Sequence, residues 1–91
     1  MGFSPEQARR QRDYLKEYVR RRREEPCTDC AGEYPWYVME MDHCRGVKEN
    51  DIAKMVHAPV GLARLKRELA KCDVVCANCH RTRTYQRLGF T

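Results

Sequence analysis

The sequence predicts a small α+β domain whose thin core is stapled by a metal ion on four cysteines. Three observations carry that expectation. Leu, Ile, Val and Phe together supply only 15 of the 91 residues, fewer than a self-sufficient core usually holds. A chain this short and this poor in aliphatics generally needs a disulfide, a metal or a partner to fold. Six cysteines are present, and four of them form two CxxC pairs, CTDC at 27–30 and CANC at 76–79. Finally, segments of helical periodicity alternate with two short β-favouring runs.

Taken in order, the first element is a long helix over about 4–25. Ser4 suits the N-cap, Pro5 the first helical position, and the interior is rich in Arg, Gln, Glu, Ala and Leu. Its apolar stripe is narrow (Leu15, Tyr18, Val19), and it ends in the run Arg20-Arg21-Arg22-Arg23 before Pro26. This reads as a basic arm, 1–25, lying along one thin seam rather than as a core element. Residues 27–32 form a knuckle-like turn. The run WYVMEM at 36–41 favours a strand leading into Asp42. A loop around Gly46 spans 44–50, and a short helix covers 51–57. Pro59 opens a further helix to about 71, with Leu62, Leu65 and Leu69 as its buried stripe. A short strand at 73–75 and a closing helix at 77–87, ended by Gly89, complete a single domain in which 26–91 is the main body.

The balance of 18 Lys+Arg against 13 Asp+Glu gives a net charge of +5, which suits an anionic partner such as nucleic acid. No apolar run approaches the ~20 residues of a membrane span. The N-terminal stretch MGFSPEQARRQRDYLKEY has neither the apolar segment nor the cleavage site of a secretory leader. The expected setting is therefore cytoplasmic and reducing, where cysteines serve as metal ligands rather than disulfide partners. Each CxxC pair lets two thiolates converge on one ion, so Cys27, Cys30, Cys76 and Cys79 together complete a tetrahedral Zn²⁺ site with Zn–S bonds of about 2.3 Å. Of the remaining two, Cys72 reads as a small buried hydrophobe, and Cys44 follows His43.

A structural zinc has no use for Asp42-His43 at the end of a strand, or for His80 directly after the last zinc cysteine. Alternation along the strand puts Asp42 and His43 on opposite faces. The zinc draws Cys79, and with it His80, towards that strand. Asp42 and His80 on one divalent ion would leave open positions for water and phosphate oxygens. His43 could then take a proton from water. Glu40 alternates with Asp42 and could reach the same ion. Trp36, Tyr34 and Tyr37 are expected to pack over the zinc knuckle.

The succession CTDC, MEMDHCRG and VVCANCHRTRT resembles the HNH endonucleases of the subtype with two CxxC pairs, over residues 26–84. The resemblance implies a ββα-metal (HNH/His-Me finger) core and divalent-metal-dependent hydrolysis of DNA phosphodiester bonds, by nicking or double-strand cutting, with weak sequence preference. It implies that His43 is the general base, that Asp42 and His80 hold a catalytic Mg²⁺ or Mn²⁺, and that the four cysteines hold a separate zinc. Asn50 is the candidate for the middle Asn of the motif, with Asp51 and Asn78 as alternatives. Arg20, Arg21, Arg22, Arg23, Arg81 and Arg83 are the expected phosphate contacts. A homodimer or a DNA-packaging terminase is the expected partner. Two rivals stand beside this reading: a non-catalytic zinc module that binds nucleic acid, and a protein–protein adaptor whose arm docks an acidic surface.

Overall fold

The computed structural model describes residues 4–58 and 60–89. Among these residues, four α-helices and two strands follow one another, with a 3₁₀ turn at Trp36–Val38 before the first strand: helix α1 (Pro5–Arg22), strand β1 (Met39–His43), helix α2 (Ile52–Met55), helix α3 (Leu62–Leu69), strand β2 (Cys72–Cys76) and helix α4 (Ala77–Arg87). The two strands pair antiparallel in the register Met39↔Cys76, Asp42↔Asp73 and His43↔Cys72. The chain is thus a small α+β domain built on a two-stranded sheet. No helix among the described residues is long and apolar enough to cross a membrane.

Helix α1 begins with a capping box: the Ser4 hydroxyl accepts from the Gln7 backbone N–H, and the Gln7 side chain accepts from the Ser4 N–H. It stops at Arg22, short of the expected residue 25. Pro26 biases Glu25 away from helical geometry, and the last residues form turns in which Glu24 and Glu25 bond back to Arg20 and Arg22. Nor is α1 merely an arm. Leu15 (0% exposed) and Val19 (5%) lie in one core cluster with Ile52, Met55, Val56, Val60, Leu65, Leu69 and Cys72. The Gln11 side-chain amide also donates to the Val60 carbonyl at 3.0 Å.

The strand expected at 36–41 is displaced. Trp36–Val38 form a single 3₁₀ turn, closed by Val38 N–H donating to the Pro35 carbonyl at 2.9 Å, and β1 begins only at Met39. The reason lies in the partner strand. Met39 pairs with Cys76, and Cys76 is already the N-cap of α4, so the residues that would pair with 36–38, namely 77–79, are helical. Helix α2 is shorter than expected, and α3 starts at Leu62 with Gly61 as its N-cap. Pro59, expected to open that helix, lies outside the described residues.

A second core cluster sits at the cysteine end of the sheet: Cys27, Met39, Val74, Val75 and Cys76, with Cys79 packed against it. Met41 touches both clusters. The larger core therefore depends on α1. Leu15→Ala should cost about 3 kcal/mol in chemical denaturation, whereas Arg21→Ala at the exposed helix surface should stay within about 0.5 kcal/mol. Equal, near-zero effects would mean that α1 is a loose arm after all.

Candidate metal centre and the charged cluster beside it

The Sγ atoms of Cys27, Cys30, Cys76 and Cys79 all lie within 4.8 Å of one another. The two CxxC turns are built differently. In the first, Ala31 N–H donates to the Cys27 carbonyl and Cys27 N–H to the Gly32 carbonyl, with Ala31 in the left-handed region at φ 60°. The second is the start of α4, where the Cys76 thiol caps the helix by accepting from Cys79 N–H at 3.4 Å. Thr28 ties the turns together, its N–H and hydroxyl both donating to the Val74 carbonyl at 2.9 Å.

The donor set fits a cation. Burial opposes ionisation of Cys27, but the N–H groups of Cys30, Cys76 and Asp29 outweigh it and bring the thiol down to about 6. Cys79 is pushed the other way, up to about 12, by hydrogen bonding to Cys76 and by burial. Four sulfurs this close cannot all carry charge without a positive ion between them, and a tetrahedral Zn²⁺ supplies one. Tyr34 adds a hydrogen bond to Cys30 Sγ at 3.5 Å. Trp36 (40% exposed) and Tyr37 (71%) meet edge to face at the surface rather than covering the knuckle.

Helix α4 leaves the cysteine cluster along β1 and delivers His80, Arg83 and Arg87 to it. Asp42, 3% exposed, faces all three. Arg87 grips it with two bonds (2.8 and 2.6 Å), Arg83 Nη1 donates at 2.7 Å, and His80 Nε2 lies 3.5 Å from Oδ1. The other ring nitrogen of His80, Nδ1, is bonded to Glu40. Asp42 stands directly opposite Asp73 across the sheet, a like-charge pairing that would be unfavourable alone. Arg83 resolves it by donating to Asp42, to Asp73 (3.0 Å) and, through two bonds, to Asp29 (2.7 and 2.6 Å). Arg45 holds the other oxygen of Asp73 at 2.8 Å. Arg87 and Arg83 therefore keep the Asp42 carboxyl well below the usual carboxylate range, and Arg45 brings Asp73 down to about 2.

His43 lies on the opposite side of β1, as alternation requires. Its Nε2 is 2.9 Å from the carboxylate of Glu68 on α3. Glu68 carries its own mark in the sequence: a charged residue set between Leu65 and Leu69 on the buried side of a helix. The carboxamide oxygen of Asn50 accepts from the neighbouring Asp51 N–H at 3.0 Å. His43 and Glu40 line one cleft together with Arg23, Met41, Asp51, Ile52, Ala53 and Lys54.

The expected phosphate contacts fall into three groups. Arg83 is committed to three carboxylates, with its side chain 17% exposed. Arg20 pairs with Glu17 and Glu24, Arg21 with Glu17, and Arg22 with Glu25. Arg23 is half-buried, its Nε enclosed without a hydrogen-bond partner, and Arg81 is exposed on α4. Compared with protein-family models, with curated proteins and with solved structures, the chain gives no match.

Two predictions follow from this geometry. The protein should bind one zinc per chain by metal analysis, and Cys27→Ser should lose both the metal and the cooperative fold; a folded, metal-free protein would contradict this. Arg83→Ala should cost on the order of 2–3 kcal/mol at neutral pH by leaving the buried Asp42 and the half-buried Asp73 each one partner short. Asp29, Asp42 and Asp73 are all held below their ordinary value of 3.8. Their stabilisation is therefore full above about pH 4 and is lost as pH falls towards 2. The stability gap between wild type and Arg83→Ala should accordingly shrink in denaturation series taken from neutral pH down to about pH 3.

Proposed function

We propose that this protein is a divalent-metal-dependent DNA endonuclease of the HNH class, with β1, β2 and α4 as a ββα-metal core and a structural zinc on the four cysteines. The observation that carries the reading is the approach of His80 Nε2 to Asp42, with His80 Nδ1 held by Glu40. A carboxylate on the far nitrogen of an imidazole is the arrangement that orients a histidine towards a metal. Asp42 and His80 would hold Mg²⁺ or Mn²⁺, and Arg87, the more exposed of the two arginines on Asp42 (48% against 17% for its side chain), would release its grip first. When bound, such an ion polarises the phosphodiester and steadies charge on the leaving 3′ oxygen.

The chain's own groups supply the rest. His43 accepts a proton from water as the water oxygen bonds to phosphorus and the bond from phosphorus to the 3′ oxygen breaks. Arg81 and the basic end of α1 contact neighbouring phosphates. Because Glu17, Glu24 and Glu25 neutralise much of that end, the contribution of α1 to affinity is modest, and sequence preference is weak. One site per chain nicks a single strand; cutting both takes a second copy.

One observation favours a different reading. Asp42 already accepts three arginine bonds, which suits a non-catalytic zinc module that binds nucleic acid and uses Asp42 only to hold α4. Supercoiled plasmid incubated with Mg²⁺, Mn²⁺ or EDTA separates the two. The nuclease converts it to the nicked form with a divalent ion and not with EDTA, and His43→Ala slows this by at least ~100-fold. Salt-sensitive DNA binding without cleavage under any ion would establish the binding module instead.

A further inference from the structure

We infer that Glu68 is a positioning residue that fixes the proton of His43 on Nε2, leaving Nδ1 as the proton acceptor of the site. The role of Nδ1 as a catalytic base rests on the nuclease reading above; the assignment of the proton does not. Glu68 sits in the buried stripe of α3, 2% exposed, between two leucines of the larger core. A carboxylate there is costly unless donors surround it, and donors do. Its Oε2 is 2.9 Å from His43 Nε2 and accepts from the Glu49 backbone N–H at 3.1 Å, while its Oε1 accepts from Lys71 Nζ at 3.0 Å. Lys71 is itself anchored by the Val47 carbonyl at 2.7 Å and by Glu49 at 2.9 Å. Burial works against the charge of Glu68, but Lys71, the Glu49 N–H and His43 overcome it and hold the carboxyl below its ordinary range.

The consequence for His43 follows from hydrogen-bond chemistry alone. An ionised carboxylate has only lone pairs to offer, so the bond requires Nε2 to carry the hydrogen. A neutral imidazole has a single N–H, so Nδ1 must then bear the lone pair. The ring lines the cleft shared with Arg23, Glu40 and Lys54. A proton leaving an attacking water would pass to Nδ1 and place the resulting charge beside Glu68, which needs no rearrangement to receive it. The water oxygen bonds to phosphorus, the bond to the 3′ oxygen breaks, and the leaving oxygen is protonated from solvent. Glu68 itself touches none of the reacting atoms.

The test is a long-range ¹H–¹⁵N correlation spectrum of the zinc-loaded, ¹⁵N-labelled protein under alkaline conditions, where imidazole is neutral. His43, assigned by its loss in His43→Ala, should show a protonated Nε2 and an unprotonated Nδ1. The reverse tautomer, or an averaged pattern like that of free histidine, would overturn the inference without any variant of Glu68. In Glu68→Gln the carboxamide can donate as well as accept, so the single tautomer should give way to a mixture while the backbone amide spectrum and zinc content persist. Plasmid nicking by that variant should fall ~10-fold in kcat with KM little changed. A single Nε2–H tautomer in Glu68→Gln would also count against Glu68 as its cause. Wild type with the expected tautomer and no nicking would keep the proton assignment and remove the nuclease reading.

Discussion

Everything in this fold depends on two turns, distant in sequence, meeting at four sulfurs. The first cysteine pair follows α1 and the second ends β2 and starts α4, so gathering them closes a loop of more than half the chain. Closing so long a loop carries an entropic cost that grows only slowly with length, while a structural zinc returns roughly 10–16 kcal/mol of apparent binding free energy in small domains. The second core cluster consists of Cys27, Cys76 and three apolar strand residues. At that end of the sheet the cysteine cluster and the hydrophobic core are one object. Losing an ion from such a site would remove packing as well as bonds, so the arrangement would tie folding to metal binding.

The second organising force is charge placed where the core is thin. Asp42 and Asp73 oppose each other across the sheet, and Asp29 approaches from the first cysteine turn. Arg83 bridges all three. Removing one carboxylate from such a cluster leaves Arg83 with others, but removing Arg83 leaves Asp29 without its arginine and leaves Asp42 and Asp73, held by Arg87 and by Arg45, facing each other across the sheet. This asymmetry makes the arginine the keystone and the aspartates partly redundant. It also explains why α4 lies where it does. Its hydrophobic contribution is slight, since none of its residues is buried, and it is held to β1 by ions and by the cysteines at its start.

What was legible in the sequence divides along the same line. Local signals worked where local physics decides: the Ser4 cap with Pro5, the CxxC spacing, the leucine stripe of α3, and the closing helix that ends at Gly89, whose φ of 80° suits glycine. They failed where a partner element decides. WYV at 36–38 has strand composition but no strand to pair with, because Cys76 is already capping a helix. Leu15 and Val19 look like a seam too narrow for a core, yet the other half of that core comes from α2, α3 and Val60. Among the site residues, the nearness of His80 to Asp42 follows from the cysteine pairing and was foreseeable. The partners that surround them were not. Glu68, Arg83 and Arg87 reach β1 from opposite sides, and their engagement depends on how α3 and α4 pack across the sheet.

The strand β1 then gathers these constraints into one. Its odd and even residues face two different environments. Asp42 looks to cations on α4, and His43 looks to an anion on α3. Each group meets charge of the opposite sign on the helix it faces, and nothing more than strand alternation separates the two environments. That separation survives only in one register, because a slip of a single residue would turn Asp42 towards Glu68 and His43 towards the arginines. The register is set at the other end of the strand, where Met39 meets Cys76. Cys76 is fixed in turn by the sulfur cluster and by its N–H bond to Cys27 Sγ at 3.3 Å. The cysteine cluster therefore does more than supplement a small core. By pinning one end of a five-residue strand, it determines which charges the other end meets.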